Sequence, residues 1–201
     1  MFSIFGNPNR KRDNKLVGFL NRPEIKEGEV MKHLVICLPY VTQCHALAKL
    51  LNENVFIKNN PKREVIVAVE NTNTIELRKL GNTSRPGYIS PEAEDANKLN
   101  KTLSTYESQG KQTVTLTVDK LMTAVSIPLW DGMLYFKDIE NPQEYDQNVF
   151  RLCTRNVHKD VDKDGNVISM TNLKENVYLI DFKIERLFNI MIDSIRQQNT
   201  I

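Results

Sequence analysis

The sequence predicts an α+β fold built on a mainly antiparallel sheet, and three observations carry that prediction. Short apolar runs alternate with turn residues through the first two thirds of the chain. One run, Thr113 to Val118, alternates strictly between threonines and apolar residues. The last third carries hairpin-type turn signals at Asp131-Gly132 and from Asp162 to Gly165. The order of elements through Val118 gives a βαββαβ, ferredoxin-like core as the candidate topology, with added hairpins and a C-terminal amphipathic helix.

The leading residues include Arg10, Lys11, Arg12 and Lys15 among asparagines, a locally positive composition that forms no core. They are read as a flexible basic N-terminal arm over 1–15, with 16–201 as a single α+β domain. No Pro-rich or Ser/Gly-rich linker divides the rest. Lys15 to Pro23 is apolar but cut by Gly18 and Pro23, which predicts an anchoring segment without regular structure. His33 to Leu38 is a continuous apolar run closed by Pro39, the pattern of a strand buried on both faces. Cys44, Leu47, Ala48 and Leu51 then recur at helical spacing, so a helix runs from Thr42 to about Asn52.

Val55 to Ile57 and Glu64 to Val69 read as strands. The polar stretch from Asn71 to Ser90 reads as a contact loop. Ser90-Pro91-Glu92 starts a helix whose buried stripe is Ala93, Ala96, Leu99, Leu103 and Tyr106. Thr113 to Val118 is expected to bury its valines and leucine and to expose its threonines. Asp119 caps a short helix over 120–125, and Pro128 to Phe136 folds as a hairpin turning at Asp131-Gly132. A second hairpin joins Val149–His158 to Asn166–Met170. Val177 to Ile180 is a strand, and Ile184, Leu187, Phe188, Met191, Ile192 and Ile195 form the apolar face of the last helix.

Composition excludes some functions and leaves others open. A net charge of +2 is too small to imply a polyanion partner over the whole surface. No apolar run reaches the length of a membrane span, and the basic residues follow the short apolar start instead of preceding it, so neither a membrane nor secretion is expected. Cys37, Cys44 and Cys153 form no CxxC pair, which predicts an intracellular, reducing setting. The abundance of Asn, with Lys over Arg, suggests an AT-rich coding sequence.

Asp160, Asp162, Asp164 and Gly165 match the start of a calcium loop, but Thr171 stands where the bidentate carboxylate belongs, so a plain turn is expected. Cys44-His45, His33, His158 and Cys153 are too scattered to specify a zinc site or a nucleophile pair. The strand ending at Leu38 runs into Pro39 and Tyr40, not into the closely spaced glycines of a phosphate cradle. In a ferredoxin-like fold, the central strands Leu34–Leu38 and Val65–Val69 would also lack the aromatics that stack RNA bases. These readings predict a non-catalytic structural or assembly protein, a subunit of a phage or viral virion or another large particle, with other protein subunits as partners in a homo- or hetero-oligomer. No cofactor, metal or catalytic residue is expected. The alternatives are a nucleic-acid-associated protein that uses Arg10, Lys11, Arg12 and Lys15 on phosphates, and an enzyme with a dispersed site.

Overall fold

The computed structural model describes residues 15–53, 62–69, 88–89, 95–118, 126–137 and 142–183, together with Glu185 and Ile192. β1 (His33–Cys37) is buried at every position, as its unbroken apolar sequence requires. It runs into α3 (Val41–Glu53), whose Cys44, Leu47, Ala48 and Leu51 are buried as their spacing predicts. Two short helices precede β1, α1 (Lys15–Leu20) and α2 (Pro23–Lys26), where the sequence reading placed an irregular segment. Pro23 occupies the first turn of α2, where its missing N–H costs nothing, so it starts a helix there instead of breaking one.

The predicted antiparallel sheet is not found. β2 (Arg63–Ala68), β3 (Tyr88–Ile89), β4 (Gln112–Thr117), β5 (Gly132–Tyr135) and β8 (Tyr178–Asp181) join β1 in a six-stranded sheet of order β3-β2-β4-β1-β5-β8. All its pairings are parallel. Parallel neighbours need crossovers, and helices supply them. α3 lies on one face with α1 and α2, packing on Leu34, Ile36, Val65, Val67, Val114 and Leu116. On the other face α4 (Asp95–Ser108) and α5 (Pro142–Leu152) cover Val35, Cys37, Ile66, Ala68, Met133 and Tyr135. The result is an α/β fold with helices on both sides of its sheet.

β4 shows why alternation misled. Its threonines are fully buried on the second face, not exposed. Each hydroxyl has a partner: Thr113 Oγ1 lies 3.0 Å from His33 Nδ1, Thr115 Oγ1 accepts from Trp130 Nε1 at 3.4 Å, and Thr117 Oγ1 donates to the Val118 carbonyl at 3.1 Å. With the polar atom satisfied, a threonine packs through its methyl much as valine does.

The expected hairpin at Asp131-Gly132 is instead the start of one parallel strand, β5. Both Asp131 carboxylate oxygens accept backbone N–H bonds at the head of β1, from Lys32 and His33 at 2.8 Å each. Gly132 is required by close approach, because a Cβ there would stand 2.7 Å from Met31 Cγ. The strand predicted from Val149 begins only at Val157, since 142–152 form α5. The second hairpin does form, as β6 (Val157–Val161) against β7 (Val167–Asn172), and every residue of the two strands is exposed. Tyr88 and Ile89, inside the expected contact loop, form a strand parallel to β2. The strand at Val55, the rest of the Asn71–Ser90 loop, the helix start at Ser90 and the helix after Asp119 lie outside the described residues. So does most of the final helix, of which Glu185 and Ile192 have helical backbone.

Candidate nucleic-acid interface

Among the described residues, a charge network stands at the amino ends of the strands. His33, 3% exposed, places Nε2 at 2.6 Å from Glu107 Oε2, and Lys32 Nζ donates to Glu107 Oε1 at 2.8 Å. These bonds pull the Glu107 carboxyl down to about 2, the hydrogen bond from His33 being the largest cause. A cavity of about 510 Å³ opens here, lined by Lys32, His33, Glu107, Asp131 and Lys174 among others. The polar atoms of these five residues bond one another, Thr113 or the backbone, so the network ties α4 to the sheet.

Open α/β sheets bind ligands beyond the carboxyl ends of their strands, where successive connections leave on opposite faces. Here that place lies between β1, which continues into α3 on one face, and β4, whose continuation through Ile127 and Trp130 packs on the other. Aromatic and charged side chains stand along that edge of the sheet. Tyr40, just after β1, is 66% exposed. Phe136 and Phe182, after β5 and β8, stack with centroids 4.4 Å apart and planes 9° apart. Lys137 reaches Glu144 at 3.3 Å.

The outer side of α5 offers a second set. Tyr145, Asn148 and Leu152 turn inward at i, i+3 and i+7, which leaves Gln147, Phe150 and Arg151 on the open flank. With Ser126, Asp146 and Thr154 they line a cavity of about 430 Å³. Arg151 is half-buried, while Phe150 is 78% exposed, far more than an aromatic ring ordinarily is. A guanidinium, a carboxamide and two hydroxyls are the donors that receive phosphate oxygens, and an open ring beside them can stack on a base. Among the described lining residues Asp146 is the one acid, and its carboxylate opposes an anion.

Of the basic residues singled out in the sequence, Arg10, Lys11 and Arg12 lie outside the described residues, and Lys15 opens α1. The calcium-like loop closes on itself. Asp162 Oδ1 accepts the backbone N–H of Asp164 and of Asn166 at 2.9 and 2.8 Å, and Oδ2 accepts Asn166 Nδ2 at 3.2 Å. Among the described residues no three His, Cys, Asp or Glu side chains converge to hold a metal. Cys37 and Cys44 are buried and form no disulfide, and burial pushes the Cys44 thiol up to about 12. Sequence reasoning missed the α5 face because it placed a strand over part of it. The available signal was Pro142 followed by Tyr145, Asn148, Val149 and Leu152 at helical spacing, with Gln147 and Arg151 one turn apart on the other side.

No protein-family profile matches the chain. It is 27% identical, over 188 residues, to a Mycoplasma pneumoniae protein described as "Putative type II restriction enzyme and methyltransferase RM.MpnORF110P C-terminus". That alignment takes in 93% of this chain and 22% of the relative, so the chain spans about a fifth of the relative's length. Among solved structures, the C-terminal part of the Fun30 ATPase domain aligns with 73% of this chain and 43% of its own at 17% identity, with a TM-score of 0.29, too low to carry an argument. The match to a protein named as an enzyme overturns two expectations, that of a non-catalytic structural or assembly subunit and that of no enzyme. Nothing supports incorporation into a virion. No helix among the described residues is long and apolar enough to cross a membrane.

Proposed function

We propose that this chain is a nucleic-acid-acting α/β domain of a larger enzyme of restriction–modification type, and that it touches phosphate and base through the α5 face. The observation that carries the reading is the joint presentation of half-buried Arg151, Gln147, Thr154 and Ser126 around one cavity, with Phe150 open beside it. The relative's description supports the same direction, since restriction and methylation both act on DNA. Tyr40 and the Phe136–Phe182 stack would extend the stacking surface. Arg10, Lys11, Arg12 and Lys15 would add phosphate contacts without sequence preference.

The test is fluorescence anisotropy with labelled duplex and single-stranded oligonucleotides across a salt series. Affinity is expected to fall steeply with salt, and Arg151→Ala to weaken binding and flatten the salt slope by about one phosphate contact. Phe150→Ala should weaken single-stranded binding more than duplex binding, because stacking needs an unpaired base. Absence of binding near ~50 mM salt, where electrostatic contacts are strong, would overturn the reading. So would an Arg151→Ala variant that binds as wild type does.

A second reading is favoured by the cavity's size. At about 430 Å³ it falls within the range of small-molecule sites, and the same donors fit the phosphates of a free nucleotide. Competition separates the two. A nucleoside triphosphate that displaces no oligonucleotide yet protects the chain against thermal unfolding, in an Arg151-dependent way, would assign the cavity to nucleotide.

A further inference from the structure

We infer that Lys174 is a positioning residue for the α5 face: from the loop that leaves the β6–β7 hairpin, its ammonium ties the C-terminal turn of α5 to the start of β5 and so fixes where Arg151 and Gln147 stand. The inference rests on the proposed role of that face.

The last carbonyls of a helix have no partner within it. In α5 they are satisfied one after another. The Phe150 carbonyl accepts Cys153 N–H at 3.0 Å, the Arg151 carbonyl accepts Thr154 N–H at 3.1 Å, and the Leu152 carbonyl accepts Lys174 Nζ at 2.9 Å. The same ammonium donates to the Trp130 carbonyl at 3.0 Å. Trp130 is a fixed point, since its ring is buried and bonded to Thr115, and the next residue, Asp131, holds the head of β1. A cation at a helix C-terminus also meets the negative end of the helix dipole.

The loop around Lys174 is built to hold it in place. Asn172 Nδ2 donates to the Lys174 carbonyl at 2.7 Å, Leu173 N–H donates to the Asn156 carbonyl at 2.8 Å, and Asn156 N–H donates to Asn172 Oδ1 at 3.1 Å. Arg151 adjoins Leu152 in sequence, and Gln147 lies one turn before it. A shift of the Leu152 carbonyl therefore moves both donors of the proposed contact.

The experiment combines amide hydrogen exchange with a double-mutant cycle on oligonucleotide binding. In Lys174→Met, exchange over 148–153 should rise about tenfold while α3 stays protected, the sign of local and not global opening. Lys174→Arg, which keeps charge and donors, should restore protection. Lys174→Met should weaken oligonucleotide binding several-fold in the wild-type background and markedly less in Arg151→Ala, where only the displacement of Gln147 is left to act. Unchanged α5 exchange in folded Lys174→Met would overturn the inference. An equal loss of binding in the Arg151→Ala background would overturn it as well, since Lys174 would then act directly. Should Lys174→Met fail to fold, Lys174→Gln carries the same comparison. If wild-type protein binds no nucleic acid, the proposed function falls and the exchange comparison alone decides the role of Lys174.

Discussion

His33 Nε2 stands 2.6 Å from Glu107 Oε2, which joins the first residue of β1 to the last turn of α4. Glu107 Oε1 takes Lys32 Nζ at 2.8 Å, so one carboxylate closes the second helical layer onto the sheet. Because the folded protein holds this carboxyl at about 2, below its ordinary 4.5, the bond adds stability at pH values above the ordinary one. That stability fades as pH falls from about 4.5 toward about 2. Glu107 is partly exposed, so solvent screening limits the contribution to on the order of 1 kcal/mol. Glu107→Gln is therefore expected to unfold at lower denaturant concentration near neutral pH, with the gap to wild type closing as acid is added. Urea titrations across that range check it.

Gly28 is held by the turn it makes and by what it faces. Its φ is +81°, and a Cβ would lie 2.7 Å from Gln112 Nε2. That amide cannot simply swing away. Gln112 Nε2 donates to the Lys26 carbonyl at 2.9 Å, while Gln112 Oε1 accepts Arg63, a buried cation that also donates to the Ile25 carbonyl at 2.7 Å. Gly28→Ala is expected to cost about 1–3 kcal/mol, combining backbone strain with a disturbed buried amide. A lowered melting temperature is the readout, and an unchanged one would show that the Gln112 side chain yields freely.

How far the sequence reveals this fold depends on whether local pattern or distant pairing decides each element. β1 and α3 were legible, because an apolar run closed by Pro39 and a stripe of Cys44, Leu47, Ala48 and Leu51 are local signals. The parallel sheet was not. β4 inserts between β1 and β2, and only long-range pairing along both strands, beginning with His33 on Thr113 and Arg63 on Gln112, fixes that order. The threonines of β4 look solvent-facing until Trp130 and His33 are seen to meet their hydroxyls. α5 was hidden by Asn148, a buried polar residue in the middle of its apolar stripe, and with α5 went Gln147 and Arg151.

Asn148 itself gives a further prediction. It is fully buried, and its Nδ2 donates to the Tyr135 hydroxyl at 3.1 Å, binding the inner side of α5 to the end of β5. Tyr135→Phe removes the acceptor and leaves a buried N–H, at an expected cost of about 1–3 kcal/mol. Replacing both partners, as in Tyr135→Phe with Asn148→Leu, should recover much of that loss, because the Asn148 N–H that lost its acceptor is then gone as well. Denaturant midpoints of the single and double variants decide between this and a simple packing defect, which the second substitution would not repair.

The β6–β7 hairpin gives the last prediction, because its turn uses carboxylates in a pattern that resembles an ion site. Asp162 spends both oxygens on Asp164 and Asn166, and those backbone bonds hold its carboxyl below the usual range. Asp160 is engaged by the Ser169 hydroxyl and by His158 Nε2, the latter at 3.3 Å. Thr171, at the position where a calcium loop needs a bidentate acid, supplies none. Calcium should therefore leave the melting temperature unchanged up to about 1 mM, the weak end of such loops. Asp162→Ala should speed amide exchange within 157–172 without moving the melting temperature, because a fully exposed two-stranded ribbon adds little to the stability of the core. A calcium-dependent rise in melting temperature that Asp162→Ala abolishes would instead make the turn a metal site.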